Sequence, residues 1–228
     1  FNNMNKKINF NSINNISQKI NVPLAVGGGI KTMRDVETLF KNGCDKIVVS
    51  TDDKKISTVV REFGVEVIDR PANISGDHSP SIDAVLHVFK CIKKYFDVVI
   101  LLQPTSPLRS AKDIDNALEY HQEKKCASVI SVCEAEYNIQ HVNILPDSKN
   151  MKNFINNKNT KTRTQDLEKY YRLNGAIYVA DTSSLLKTKT FFMEENSYAY
   201  EMSNIYSVDI DNEIDLKIAE FIYKNYVS

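Results

Sequence analysis

Short apolar runs alternate along the chain with longer stretches in which apolar positions recur every three or four residues. The short runs are rich in valine and isoleucine, which is typical of strands, and the longer stretches have the spacing of helices with one apolar face. Seven strands are predicted, at 22–26, 46–50, 65–69, 97–102, 127–132, 175–180 and 206–210. Five helices are predicted, at 33–41, 53–63, 81–95, 111–124 and 212–226. This alternation predicts an α/β fold with a mostly parallel sheet.

The last predicted helix shows both its start and its buried face. Asn212 can cap its first turn, with Asp215 three residues later, which is close to a capping box. Ile214, Ile218, Phe221 and Ile222 fall at helical spacing, so we expect them to form one buried stripe.

Length and charge restrict the function classes. The 228 residues suit one medium domain over 1–228, or at most two small ones. Lys plus Arg equals Asp plus Glu at 29 each, which gives no support to a nucleic-acid or membrane-surface role. No apolar run approaches the ~18 residues of a membrane span. Cys44, Cys91, Cys126 and Cys133 are scattered without metal-binding spacing, which favours reduced thiols in a cytoplasmic protein.

Residues 133–172 interrupt the alternation with a polar stretch rich in lysine and asparagine. The stretch is too long for an ordinary connection between a strand and a helix, which predicts a lid, a dimer arm, or both. A simple asparagine-rich linker is the alternative.

The segment "LLQPTSPLR" follows a predicted buried strand and carries Gln103, Thr105, Ser106 and Arg109 around two prolines. In open parallel sheets, ligands gather at the carboxyl ends of the strands. A stiff turn there fixes its polar groups in advance, which suits recognition of a polar ligand. A proline-rich turn without a ligand is the alternative.

The segment "SVDIDNEID" places Asp209 and Asp211 two residues apart. On a strand, both side chains would project from one face, where two carboxylates repel unless a cation lies between them. Magnesium takes one or two carboxylates and completes its coordination with water and phosphate oxygens. Either aspartate alone would be interpreted as part of the following helix start.

Two further segments carry candidate binding groups. Arg163 and Arg172 precede the predicted strand at 175–180, with Asn174-Gly175 as a turn, and arginine suits carboxylate or phosphate. These arginines could equally be surface residues of a polar arm. In "RPANISGDHSPSID", Arg70 ends a strand, and Ser79 and Ser81 lie in the loop and at the helix start that follow.

Five segments occur in the order seen in one known family. They are "VSTDDKKI", "RPANISGDHSPSIDAVLH", "VVILLQPTSPLRSAKDID", "QDLEKYYRLNGAIYV" and "SVDIDNEIDLKIAE". From about Lys46 to the C-terminus, the chain resembles the acylneuraminate cytidylyltransferases, which are the CMP-sialic acid synthetases and their relatives acting on legionaminic and pseudaminic acids.

The resemblance implies a Rossmann-like nucleotidyltransferase fold of three layers with a protruding dimerisation arm, and a homodimer. It implies that the anomeric hydroxyl of a nine-carbon sugar acid (a nonulosonic acid) attacks the α-phosphate of CTP, with Mg²⁺ neutralising charge and pyrophosphate leaving. By matching motif, the resemblance implies a role for each of the following residues. Asp209 and Asp211 bind the metal, Gln103 and Arg172 contact the sugar acid, Arg70, Ser79 and Ser81 lie near the cytidine, and Tyr178, Phe191 and Phe192 wall the sugar pocket. Arg109, Arg163 and Asn174 complete the expected substrate-binding set.

The first 50 residues depart from this family. Its strand-and-loop opening of the form A-R-x-x-S-K-x-x-x-K-N, which grips the CTP phosphates, does not occur here. Instead "INVPLAVGGGIKTMRDVETLFKNGCDKIVVS" resembles late β/α units of the cyclase subunit of imidazole glycerol phosphate synthase, a TIM barrel. Backbone N–H groups of Gly27, Gly28 and Gly29, with Lys31 nearby, could bind phosphate weakly. A helix-packing turn without a ligand is the alternative.

The sequence therefore predicts a cytidylyltransferase whose activity is weakened by the replaced loop. The alternative is a non-catalytic, dimeric remnant of that family that binds sugar acid or nucleotide.

Overall fold

The computed structural model describes residues 46–62, 64–76, 78–152, 154–155 and 168–226. The predicted strand at 22–26 and the predicted helix at 33–41 lie outside these residues. The described strands are β1 (Val48–Thr51), β2 (Glu66–Asp69), β3 (Val98–Leu101), β4 (Ser128–Glu134), β5 (Tyr171–Asp181) and β6 (Ser197–Glu201). The helices are α1 (Lys54–Glu62), α2 (Ser81–Cys91), α3 (Ala111–Lys124), α4 (Thr182–Thr188) and α5 (Glu213–Tyr226).

The described strands form two sheets. β1 pairs with β2 in parallel, and the second sheet has the order β3-β5-β4-β6. In that sheet β5 runs antiparallel to both of its neighbours, while β6 is parallel to β4. The predicted mostly parallel α/β arrangement is therefore confirmed, with β5 as the reversed strand.

Helices cover both faces of the larger sheet. On one face, Ile114 and Leu118 of α3 belong to a buried cluster that contains Val98 and Ile100 of β3. On the other face, α2 and α4 contribute buried apolar side chains to a second cluster that contains Val99. Successive residues of β3 thus point to opposite faces, as the period of a strand requires. The sheet with helices on both of its faces forms the predicted three-layer arrangement.

Several element boundaries differ from prediction. Residues 206–210 are not a strand: a 3-10 turn covers Asn204–Tyr206, and irregular backbone follows it. β6 and α4 were not predicted, and α2 ends at Cys91 because Ile92 has an extended backbone (ψ 128°). The start of α3 agrees with prediction, because Ser110 and Asp113 form a reciprocal capping box.

The predicted excursion after β4 is present but begins slightly later than expected. β4 continues to Glu134 and β5 starts at Tyr171, and Ala135 N–H donates to the carbonyl of Tyr170 at 2.8 Å where the excursion leaves the sheet. We call the residues from 135 to 170 the arm. Its described part carries exposed apolar side chains, at Tyr137, Ile139, Val142, Ile144, Leu145 and Met151.

The predicted buried stripe of α5 is wrong. Ile214 is 68% exposed and Phe221 is 60% exposed, whereas Ala219 is the buried residue of this helix. The helix packs through its small residue, so the larger apolar side chains point outward. The helix start agrees with prediction, because Asn212 accepts from the N–H of Asp215 while the Asp215 carboxylate accepts from the N–H of Asn212. Among the described helices, none combines the length and apolarity that a membrane crossing requires.

Candidate active site

The turn after β3 is held from inside the protein by Arg109. The guanidinium Nη1 donates to the carbonyls of Gln103 and Ser106, at 2.8 and 2.5 Å. Burial lowers the pKa of Arg109 to about 10. The Arg109 guanidinium therefore fixes the turn from inside, while its expected contact with substrate stays a prediction.

A bulge in β5 forms the floor of the site. Between the pairs Ile130–Tyr178 and Val132–Leu173, one residue of β4, Ser131, lies opposite four residues of β5, 174–177. Bulges of this kind recur next to active sites, where they redirect backbone and side chains. The predicted turn at Asn174-Gly175 is therefore a bulge inside a strand that begins earlier, at Tyr171.

The Asn174 side chain holds the bulge in place and is completely buried. Its Oδ1 accepts from Ser131 Oγ at 2.6 Å and from Ala176 N–H at 3.2 Å, and its Nδ2 donates to Ser207 Oγ at 2.9 Å. Asn174 was expected among the substrate contacts. In the structure its side chain joins β4, β5 and the segment that carries the aspartates, and the substrate contact stays a prediction.

Gly175 is the point where the predicted groups meet. Its φ is +68°, which favours glycine. A Cβ atom placed there would lie 2.6 Å from Gln103 Oε1, 3.0 Å from Ser106 Oγ and 3.8 Å from Asp209 Oδ2. The glutamine of the turn and the first aspartate therefore face the same small space, which requires a residue without a side chain.

The aspartate segment is attached directly to the turn. Ile210 N–H donates to the carbonyl of Thr105 at 2.8 Å, and this places Asp209 and Asp211 on either side of the attachment. Asp209 is half-buried, and its Oδ1 is buried without a hydrogen-bond partner in the described part of the chain. Asp211 is exposed, and its backbone N–H donates to the carboxylate of Asp215.

The environment of the Asp209 carboxylate fits that of a cation ligand. A buried carboxylate oxygen without a donor needs a positive partner. The described residues contain no group of three or more His, Cys, Asp or Glu that could hold a metal. That is compatible with magnesium, which binds through one or two carboxylates and takes its other ligands from water and phosphate.

Arg172, near the start of β5, is held by Glu136. Arg172 Nε donates to Glu136 Oε2 at 2.9 Å, and Arg172 Nη2 donates to Glu136 Oε1 at 2.6 Å. Nη2 also donates to the carbonyl of Ser207 at 3.3 Å. Hydrogen bonding to Glu136 raises the pKa of Arg172, and the nearby charge of Asp209 contributes in the same direction.

A cavity of about 360 Å³ lies beside the turn and is lined by residues of β1, α2 and β3. Its polar lining includes Arg70, Ser81 and Gln103. Gln103 Nε2 donates to Ser81 Oγ at 2.9 Å, and Arg70 Nη2 donates to Asp52 Oδ1 at 3.4 Å. Ser79 is half-buried and its N–H closes a turn onto the carbonyl of Gly76. Arg70, Ser81 and Gln103 thus share one opening.

The three predicted aromatic residues separate into different environments. Phe191 is buried in the core, with its ring centroid 5.3 Å from that of Tyr178. Burial and the charge of Asp209 both raise the pKa of Tyr178. Phe192 is 54% exposed. Phe191 thus packs in the core against Tyr178, and the pocket role of all three aromatic residues stays a prediction.

Some site residues were not predicted, and some predicted ones cannot be located. Gly27, Gly28, Gly29, Lys31 and Arg163 lie outside the described residues. Ser131, Glu136 and Ser207 were missed, because polar residues within or beside strands carry no spacing signal of their own. Gly175 could have been found, since it is one of seven glycines and lies within a strongly β-forming stretch.

Comparison with known proteins agrees with this arrangement. A family model described as "Cytidylyltransferase" matches residues 34–227. The CMP-N,N'-diacetyllegionaminic acid synthase of Legionella pneumophila is 32% identical over 88% of this chain and 87% of its own length. The N-acylneuraminate cytidylyltransferase of Escherichia coli is 30% identical over 77% of this chain and 41% of its own length, so the chain spans less than half of that relative.

A solved structure shares the fold. The CMP:2-keto-3-deoxy-manno-octonic acid synthetase complexed with CTP superposes with a TM-score of 0.54, covering 90% of this chain and 98% of that one at 14% identity. The fold and the family match lead to one conclusion: the chain belongs to the cytidylyltransferase family.

Proposed function

We propose that this protein transfers a cytidylyl group from CTP to a nonulosonic acid. The anomeric hydroxyl oxygen of the sugar acid forms a bond to the α-phosphorus of CTP, and the bond from that phosphorus to the β-phosphate bridging oxygen breaks. CMP-sugar acid and pyrophosphate are the products, and the hydroxyl proton passes to solvent. The observation that carries this proposal is the convergence of Gln103, Gly175 and Asp209, with Asp211 attached beside them.

The two aspartates supply negative charge where the triphosphate would lie. Asp209 and Asp211 would hold Mg²⁺, which neutralises phosphate charge during the transfer. The hydrogen bond from Ile210 N–H to the carbonyl of Thr105 attaches the backbone between the two aspartates to the turn that carries Gln103, which supports a site arranged before substrate binds. Such preorganisation contributes more to phosphoryl transfer than any covalent role of the protein.

Sugar and nucleotide would occupy the two sides of Gln103. On the β5 side, Gln103, Tyr178 and Phe192 would contact the sugar acid, and Arg172 would bind its carboxylate through a planar fork. On the other side, Arg70, Ser79 and Ser81 would lie near the cytidine. Gly27, Gly28, Gly29 and Lys31 would offer a weak phosphate contact, and Arg163 a further charged contact from the arm.

The arm would join two copies of the chain. Exposed apolar side chains such as Ile144, which is 88% exposed, lose contact with water in a homodimer. The three described cysteines, Cys91, Cys126 and Cys133, form no disulfide with one another, which is compatible with the cytoplasm.

Pyrophosphate release tests this proposal. The full chain is incubated with CTP and Mg²⁺ and, in turn, with N-acetylneuraminic, legionaminic or pseudaminic acid, with UTP in place of CTP as the control. Release with CTP and at least one acid is expected. The proposal would be contradicted if none of the three acids gave pyrophosphate release while a version of the chain carrying the family's basic loop was active. Calorimetric binding of a sugar acid without any binding of CTP would support the non-catalytic alternative instead.

A further inference from the structure

The carboxylate of Glu136 is hydrogen-bonded to Arg172, the arginine that is proposed to bind the substrate carboxylate. Three donor–acceptor contacts of 2.6 to 3.2 Å join the Nε and Nη2 of Arg172 to the two carboxylate oxygens of Glu136. The remaining recorded hydrogen bonds of this guanidinium, to the carbonyls of Leu173 and Ser207, are longer, at 3.4 and 3.3 Å. The side edge of the guanidinium, formed by Nε and Nη2, is therefore already bound to a carboxylate.

The position of Glu136 allows this pair to open. Glu136 lies two residues beyond the end of β4, at the start of the arm. The side chains of Arg172 and Glu136 are 35% and 48% exposed, so water can solvate either group after separation. An incoming carboxylate of the same geometry can form the same paired contacts with Arg172 in place of Glu136.

We propose that Glu136 is an internal competitor for the substrate carboxylate, which it mimics on Arg172. When the sugar acid binds, the Nε and Nη2 groups of Arg172 donate to the substrate carboxylate in place of Glu136. The first residues of the arm are then released from β5. Glu136 thereby sets the affinity for the acid. This inference rests on the proposed function, because it requires Arg172 to bind the sugar-acid carboxylate.

Substitution of Glu136 distinguishes competition with the substrate carboxylate for Arg172 from a purely structural role of Glu136. Glu136→Gln and Glu136→Ala are compared with Glu134→Gln, a matched control because Glu134, the last residue of β4, also makes a partly exposed ion pair, with Lys169 at 2.8 Å. The measurements are the KM for the sugar acid and for CTP from pyrophosphate release. Calorimetric affinity is measured as well, for N-acetylneuraminic acid and its methyl ester.

Removing the competitor should lower the KM for the free acid by about threefold, the scale of an exposed ion pair. The KM for CTP and the affinity for the methyl ester should stay unchanged, because the ester presents no carboxylate. Glu134→Gln should behave as the unmodified protein.

The outcomes separate the two proposals. Turnover with an unchanged or higher KM for the acid in both Glu136 variants would contradict the competition alone. An equal gain for acid and methyl ester would also contradict it, because the effect would not pass through the carboxylate. Absence of both binding and turnover with every acid tested would contradict the proposed function and the competition together.

Discussion

Replacing Gly175 with alanine is the smallest change that should disturb the whole site. The substitution adds one methyl group at a residue with φ +68°, in a region that alanine adopts only with strain. The methyl carbon would lie 2.6 Å from Gln103 Oε1, closer than van der Waals contact allows, and 3.0 Å from Ser106 Oγ. Either the backbone of the bulge or these two side chains must therefore move.

The two neighbours differ in how easily they can give way. The end of the Gln103 side chain can rotate away, at the loss of its hydrogen bond to Ser81 Oγ. Ser106 is buried and its hydroxyl donates to the carbonyl of Asn174 at 2.9 Å, so it resists displacement. Together with the backbone strain, we expect Gly175→Ala to lower the free energy of unfolding by about 1–3 kcal/mol.

Turnover should fall further than this loss of stability explains. A shift of about 1 Å in a positioning group can reduce the rate by ~10²-fold, and Gln103 is the group displaced. Urea denaturation gives the free energy of unfolding, and pyrophosphate release at saturating CTP gives kcat and the KM for the sugar acid. These are measured under conditions in which the variant remains folded.

Gly76→Ala is the matched control. Among the described residues, a Cβ atom at Gly76 would meet only Ser79 Oγ, at an ordinary 3.8 Å. Glycine-to-alanine changes at unstrained positions are neutral or stabilise by about 0.4–1 kcal/mol. If Gly175→Ala matched Gly76→Ala in both stability and turnover, the close approach of β5 to Gln103 would be refuted.

Two further predictions concern buried polar groups. Asn174→Ala should lower the free energy of unfolding by about 3 kcal/mol, because Ser131, Ser207 and the N–H of Ala176 lose hydrogen-bond partners in the interior. Urea denaturation measures this loss. A loss below about 0.5 kcal/mol, the scale of ordinary surface changes, would contradict the prediction. Burial lowers the pKa of His121, and the charge of Asp181, whose Oδ1 lies 3.4 Å from His121 Nε2, raises it. Asp181→Asn removes the charge that raises this pKa, so the pKa of His121 should fall further. An unchanged NMR titration of His121 would refute the pairing.

The sequence was sufficient where local pattern and tertiary environment agree. β3 was predicted because "VVIL" is buried on both faces of a covered sheet. The start of α3 was predicted because Ser110 and Asp113 satisfy each other's backbone groups. Gln103 lies in the turn directly after β3, as the rule that ligands gather at strand ends predicts.

The sequence was insufficient where distant polar side chains decide the backbone path. Residues 206–210 have β-forming composition, yet Ser207 is buried through hydrogen bonds to Ser203 and Asn174. Side-chain bonds of this kind compete with strand pairing. The bulge opposite Ser131 also depends on partners more than 40 positions away in sequence. No local pattern contains that information.

The magnesium dependence of turnover tests the central claim most directly. Pyrophosphate release from CTP is measured against Mg²⁺ concentration for the unmodified chain, for Asp209→Asn, for Asp211→Asn and for the control Asp215→Asn, whose oxygen can still cap α5. The account predicts that both site variants lose about 100-fold or more in rate while Asp215→Asn keeps the original magnesium dependence. Asp209→Asn and Asp211→Asn with the rate and magnesium dependence of the unmodified chain would contradict it.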